Sequence, residues 1–566
     1  MGKLLNKASL TGIGAAIGAA FAVQPAAAQT TPVVSDDGQG SAIVVPYYTV
    51  NDGWQTLVNL TNTSENSIVV KFRLHESRNS RDVLDFNIAL SPFDVWTATI
   101  QQSANGRPEL ITTDRSCTIP ISVRNSGAEA SELAYSGTFS DHTGTDGDVV
   151  RTREGYIKIL VMGETAGSGR APASVAANFP GDIAYDAEHV NGEPRNCSRV
   201  NSSFSARTAD FDTTAGITAV VSGLDDAGVA TTFPPTDDGT DVQTGSGSPL
   251  ARLGSVDGSG NNESAVGYGA IATGNPLKAN VSLVNQSTGR AAGVTSLHIE
   301  NYGLGQNFVT AQEFPWFLEP TIASSNALWT IDGVNALITG ISATQVKNEW
   351  SSNANTGAVS EWIVNFPTKR FEDDVDEDNI QAACSAWRND NSGAGVPDGT
   401  GITQAANDFG DNDTGGVCAP ELFGSGTFQD GNNGIAPIVV NYDIYDREEG
   451  GVTVELDGPV VSPAPPPEVT IDNLPYEVNV VKIGRDVSGA TSVLGSPVSR
   501  SVETNELASN ANSGWMIATF DGDSTNAPGS SSDAVPVISG IYKQRDFGDA
   551  ALNFGQYLDA AYTRGN

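Results

Sequence analysis

The chain has 566 residues, with 67 Asp and Glu against 30 Lys and Arg, a formal charge of −37 and a pI near 4.2. That balance excludes a nucleic-acid binder, because phosphate recognition needs concentrated Lys and Arg. At 39% hydrophobic and 17% charged residues, the chain is neither membrane-like nor charged enough to be wholly disordered, and its length corresponds to roughly two to four domains.

Lys3 and Lys7 precede an apolar, Gly/Ala-rich stretch from Leu10 to Val23 and a small-residue end at Ala26-Ala27-Ala28, before Gln29. This is the layout of a cleaved secretory signal over residues 1–28, and the apolar stretch is shorter than the ~20 residues that span a bilayer. Losing the two lysines, with no acid among the same residues, takes the mature chain to −39. Export to a secreted, cell-surface or extracellular location is expected, with no transmembrane segment. Residues 29–40 read as a flexible N-terminus.

From there, period-2 segments bounded by Gly, Asn, Asp and Ser recur to the end, as in half-buried antiparallel strands. In Ile68 to His75, residues Ile68, Val70, Phe72 and Leu74 share one face, and Lys71, Arg73 and His75 share the other. Tyr156 to Met162, Val281 to Val284, Trp362 to Phe366, Ile438 to Tyr442 and Val478 to Ile483 are further strand candidates; a short helix is expected at Asn379 to Trp387. His75 is placed on a wet strand face, and Glu76 to Asp82 in a turn of compensating surface charges worth ~0–1 kcal/mol each. The run Leu57 to Ser64 echoes Ser282 to Gly289. Each leads into a second strand candidate, Ile68 to His75 or Gly293 to Glu300, as a hairpin would; the echo suggests two related sandwiches or similarity of composition alone.

The fold class expected is mainly β: two or more antiparallel β-sandwich domains with long Gly/Asp/Ser-rich loops. The Gly/Asp/Ser/Thr-rich stretches Ser222 to Ser248 and Gly254 to Asn262 offer little to bury and mark the clearest boundary. They divide an N-terminal sandwich over 41–250 from a second β domain over 263–458. A Pro-rich linker or loop follows at 459–467, and 468–566 forms a C-terminal β segment, separate or completing the second domain.

Four cysteines in an exported chain point to disulfides. Three pairings exist, and neighbours are favoured: Cys117 with Cys197, and Cys384 with Cys418. Without a C-x-x-C, and with four scattered histidines, zinc is not expected. Asp373, Asp374, Asp376, Glu377 and Asp378 precede Cys384, and Asp408, Asp411 and Asp413 precede Cys418. Hard oxygen ligands on a cross-linked loop suit calcium, although Leu422 stands where an EF-hand needs a bidentate Glu; a merely solvated acidic loop is the alternative. Tyr47, Tyr48, Trp54, Phe93 and Trp96 form an aromatic group. Exposed, such rings stack on sugars; otherwise they belong to the core. The chain shows no G-x-S-x-G elbow, P-loop, H-E-x-x-H or nucleotide-binding glycine fingerprint, so no enzyme activity is expected.

Several stretches together resemble a family of secreted proteobacterial cell-surface proteins with surface-layer-like character and no known enzymatic activity. They are Val45 to Trp54, Arg78 to Phe86, Ser91 to Trp96, Glu319 to Ser324, Trp362 to Lys369 and Tyr445 to Glu449. The resemblance implies a surface or extracellular location and lends no site residues. The leading expectation is therefore a structural surface-layer or matrix subunit that works by assembling with itself or with cell-envelope components. The alternative is a carbohydrate- or surface-binding adhesin. Aromatics at 7% and long Gly/Asp-rich interruptions speak against an outer-membrane barrel.

Overall fold

The computed structural model describes residues 31–78, 80, 82–132, 149–165, 186–198, 200–201, 254–256, 262–264, 271–304, 337, 340–368, 438–447, 451–454, 472–521 and 534–564. These residues are mostly β and form several antiparallel sheets. Sheet I has seven strands, in the order Val33–Val34, Leu297–Glu300, Ala42–Thr49, Glu154–Thr165, Ser67–Glu76, Asp82–Leu90 and Cys117–Ile119. Sheet II has six: Arg290–Val294, Leu277–Asn285, Gln55–Asn62, Val95–Gln102, Pro108–Ile111 and Ala128–Glu129. Together they enclose the first core, around Trp96, Phe72, Phe86, Val58 and Leu283.

The second sandwich is built from sheets III and IV. Sheet III runs Gly451–Val454, Ile438–Asp446, Ser513–Asp521, Ser342–Ser351 and Val535–Pro536, with Asp472–Leu474 and Ala561–Arg564 paired beside it. Sheet IV runs Arg500–Glu503, Val478–Gly484, Ala358–Asn365, Ile538–Arg545 and Phe554–Asp559. Its first two strands are parallel.

Sheet IV is buried on both faces. Trp362, Val364, Val481, Ile483 and Ile541 enter the core it shares with sheet III. Their alternating neighbours Ile363, Val480 and Tyr542 enter the core of the first sandwich. A strand that is buried on both sides reads as a continuous apolar run, and Trp362-Ile363-Val364 is such a run.

The expected strands are present except Gly293 to Glu300, which is divided between Arg290–Val294 in sheet II and Leu297–Glu300 in sheet I, and several associations differ from expectation. Val33–Val34 pairs with Leu297–Glu300, so part of the expected flexible N-terminus is a strand. The strands over 277–300 lie in sheets I and II, so the first sandwich continues past the boundary placed at 250–263. The strands from 472 to 564 complete the second sandwich. The strands that contain the echoed segments are direct partners, and the segments themselves meet at Leu57 opposite Ser282. They belong to one sheet and are not equivalents in two domains. Only the second forms a hairpin, with Arg290–Val294; after Gln55–Asn62 the chain crosses from sheet II to sheet I. The helix expected over 379–387 and the Pro-rich stretch 459–467 lie outside the described residues.

Candidate functional site

One end of the first sandwich meets sheet IV. The register sets Glu154 opposite Thr49 and Gly155 opposite Glu76, so the ends of three strands of sheet I arrive together. The main chain crosses the seam directly: the Glu477 and Val478 amides donate to the Arg78 and Ser77 carbonyls. Asn365 donates its side-chain amide to the Pro46 carbonyl at 2.9 Å.

A wedge of five residues, 492–496, fills the centre. Trp54 Nε1 donates to the Val493 carbonyl at 2.9 Å, and its ring meets Tyr542 edge-on at 5.5 Å. Glu361 receives the Ser492 hydroxyl (2.9 Å) and the Val493 and Leu494 amides (2.7 and 3.0 Å). Glu154 receives the Tyr47 hydroxyl (2.9 Å) and the Ser496 hydroxyl (2.8 Å). Gly495 is required within the wedge: its φ is +78°, and a Cβ there would stand 2.6 Å from Asn51 Cβ.

Glu154 and Glu361 are solvent-excluded. Burial, which disfavours the charged form, pushes each carboxyl up to about 7. Burial and the adjoining Glu154 also raise the Tyr47 phenol. Paired carboxylates titrating near neutrality can serve general acid–base chemistry. Here water does not reach them, and hydroxyl and amide donors occupy the oxygens, so the arrangement works as a latch between sandwiches.

A second polar cluster lies on the face of sheet I turned away from its core. Lys71 pairs with Asp85 at 3.2 Å and Arg73 with Asp82 at 3.0 Å, while at the strand end, on the alternate side, Arg151 pairs with Glu76 at 2.8 Å. His75 stacks on Tyr156 at 4.7 Å and sits 2.7 Å from Asp82. Lys71, Arg73, His75 and Glu76 are all buried, which corrects the expected wet face and surface-charge turn. Desolvation outweighs Asp82 and lowers His75 to about 4; it also lowers Lys71.

Ser91, Asp94 and His189 also come together, without the geometry of a catalytic triad. Ser91 Oγ (3.3 Å) and Asp94 Oδ2 (3.4 Å) approach the same ring nitrogen, Nδ1. A relay needs the base and its orienting acid on opposite nitrogens. Burial raises the Asp94 carboxyl. His189 belongs to a hairpin, His189–Val190 with Glu193–Pro194, turned by Asn191-Gly192 at φ 55° and 83°. Asn-Gly is a strong two-residue hairpin signal, and it was the cue in the sequence for this unexpected element.

The expected site residues fare differently. Cys117 and Cys197 form a disulfide. Cys384, Cys418 and the proposed calcium ligands Asp373, Asp374, Asp376, Asp378, Asp408, Asp411 and Asp413 lie outside the described residues. Among the described residues, no group of three or more His, Cys, Asp or Glu side chains is placed to hold a metal. Tyr47, Tyr48, Trp54 and Trp96 are 0–2% exposed; they are core and seam residues with no face open to a sugar. The outward apolar residues include Phe93 (62% exposed) and Val95, and a separate group of Phe547, Leu552 and Phe554. Among the described residues no helix is long and apolar enough to cross a membrane. Comparison with protein-family models, curated proteins and solved structures finds no match to this chain.

Proposed function

We propose that the protein is an exported structural component of a bacterial cell surface, a surface-layer or matrix subunit that acts by assembling with itself or with envelope components. The observation that carries this reading is the seam. Two sandwiches share sheet IV and are closed by a solvent-excluded set of hydrogen bonds, so they form one stiff body. Stiffness suits a building unit. The signal layout, the acidic composition and the family resemblance support the location.

The acidic segment 373–413 is part of the same proposal: bound calcium relieves repulsion among its carboxylates and bridges copies that would otherwise repel. The test combines fractionation of cells with light scattering and negative-stain microscopy of the purified chain, in chelator and in millimolar calcium. Surface localisation with ion-dependent assembly is expected. A chain absent from the surface and monomeric in every ionic condition overturns the proposal. An unchanged melting temperature between chelator and calcium removes the calcium part alone.

A further inference from the structure

The outward face of sheet II carries few charges for a chain of −37. Its three central strands alternate buried and outward residues. Outward side chains include Asn280, Asn59, Thr97 and Leu57, and Lys278 is the one charge on those strands. The next strand adds Glu109, and the edge strand sets Glu129, paired with Arg107, directly beside it.

Register places Lys278 and Glu109 at opposite corners. Lys278 shares a row with Thr61 and Val95 at the end remote from the seam. Glu109 lies beside Gln101, in the row of Gln55 and Val284 at the seam end. Neither Lys278 nor Glu109 has a salt-bridge partner among the described residues.

The apolar groups divide in the same way. Phe93 and Val95 stand at the remote end. Phe547 and Leu552 stand at the seam end, on a loop that meets the Thr288–Arg290 turn through Asn553 and Asp546. Phe93 is also strained. It occupies the left-handed region at φ 57°, where the other non-glycine residues described are Asp, Asn or Ser. Pro92 precedes it in a turn closed by the Asp94 amide on the Ser91 carbonyl. A bulky ring held there and turned to solvent does nothing for the fold.

The geometry points to this face as a two-fold contact with a second copy of the chain, in which Lys278 of each copy meets Glu109 of the other. A two-fold axis in the plane of the contact, across the Lys278–Glu109 diagonal, exchanges the two corners. The same rotation leaves the other two corners on their own sides, so Phe93 and Val95 stay at one rim of the contact and Phe547 and Leu552 at the other. Five strands about 4.8 Å apart and about seven residues long give on the order of 500 Å² per copy. The total of about 1,000 Å² is the lower limit for specific association, and describes a reversible contact. Two copies of so acidic a chain meet most easily through a surface that brings few carboxylates together. This inference rests on the assembly reading and names the surface it would use.

The experiment is sedimentation velocity on the purified chain over a range of concentrations, with circular dichroism and thermal melting as controls for folding. Lys278→Glu and Glu109→Lys are each expected to weaken dimerisation about tenfold, and the double reversal to restore it. Phe93→Gly should weaken dimerisation while leaving the melting temperature equal or higher, because glycine relieves the backbone strain. Ser509→Glu, an exposed site on the second sandwich, should change nothing. If the wild-type chain associates but the single reversals have no effect, or the double variant is not rescued, this face is wrong and the assembly reading stands. If the wild-type chain stays monomeric in every ionic condition, this inference fails, and the assembly reading fails with it if the chain is also absent from the cell surface.

Discussion

Glu361 lies on the side of its strand that turns toward the first sandwich, beside Ile363, and takes three donors from one short wedge. Glu361→Gln keeps the shape but supplies only one acceptor oxygen. One of the Val493 and Leu494 amides then faces a donor, at a cost of ~1–3 kcal/mol. Chemical denaturation should report that loss, together with a flatter dependence of stability on pH. His75 illustrates the opposite sign. Its pKa falls on folding from the ordinary 6.5 to about 4. Its contribution is therefore whole above about pH 6.5 and lost as pH falls toward 4. Alternation around His75 was legible in the sequence, but the burial of its face was not, since that depends on what packs there from elsewhere in the chain.

At the scale of elements, the Cys117–Cys197 disulfide ties the edge strand Cys117–Ile119 to the segment following the 189–194 hairpin. It closes a separation of 80 residues. In the chain-entropy description such a loop contributes up to about 4.5 kcal/mol. Replacing both cysteines by serine should lower stability by a few kcal/mol and open the Ser91–His189 contact first, measured by hydrogen exchange at the 189–194 amides. An unchanged denaturation midpoint would show that the edge strand is held without the cross-link. The hairpin of 277–294 is a different case. Gly289, at φ +69°, lies against the backbone of Ala550 with no room for a Cβ. A local turn signal here also serves a contact between the two sandwiches.

The whole molecule should unfold as one unit because sheet IV belongs to both cores. A single calorimetric transition is expected for the described body. Trp54→Ala removes the ring packed on Tyr542 and orphans the Val493 carbonyl, at ~3–5 kcal/mol. It should separate the transition into two. The seam also carries a pH dependence. Glu154 and Glu361 move on folding from the ordinary 4.5 to about 7, so the folded state holds their protons more tightly. Their contribution is whole below about pH 4.5, shrinks as pH rises and is gone above about 7, a change of a few kcal/mol across the pair. Melting at pH 6 should therefore exceed melting at pH 8, and the difference should diminish in Glu361→Gln. Equal melting temperatures would mean that the latch carboxylates are already ionised in the folded state.

The strands were legible because side-chain alternation is a local property of a half-buried sheet, and so was the β class. The pairing of Cys117 with Cys197 was one of three open to the sequence, favoured because the two are neighbours along the chain. Tertiary structure alone decided which strands share a sheet. Leu57 to Ser64 and Ser282 to Gly289 look like repeats in sequence but begin on two strands paired in one sheet, because antiparallel pairing joins segments by complementary register over any separation. It also decided that the first sandwich continues to residue 300, since loop composition marks what cannot be buried and says nothing about which core the next strand joins. Tyr47, Tyr48, Trp54 and Trp96 were open to two readings for the same reason: whether an aromatic ring meets water or another sheet is set by the packing of distant elements, here by sheets II and IV.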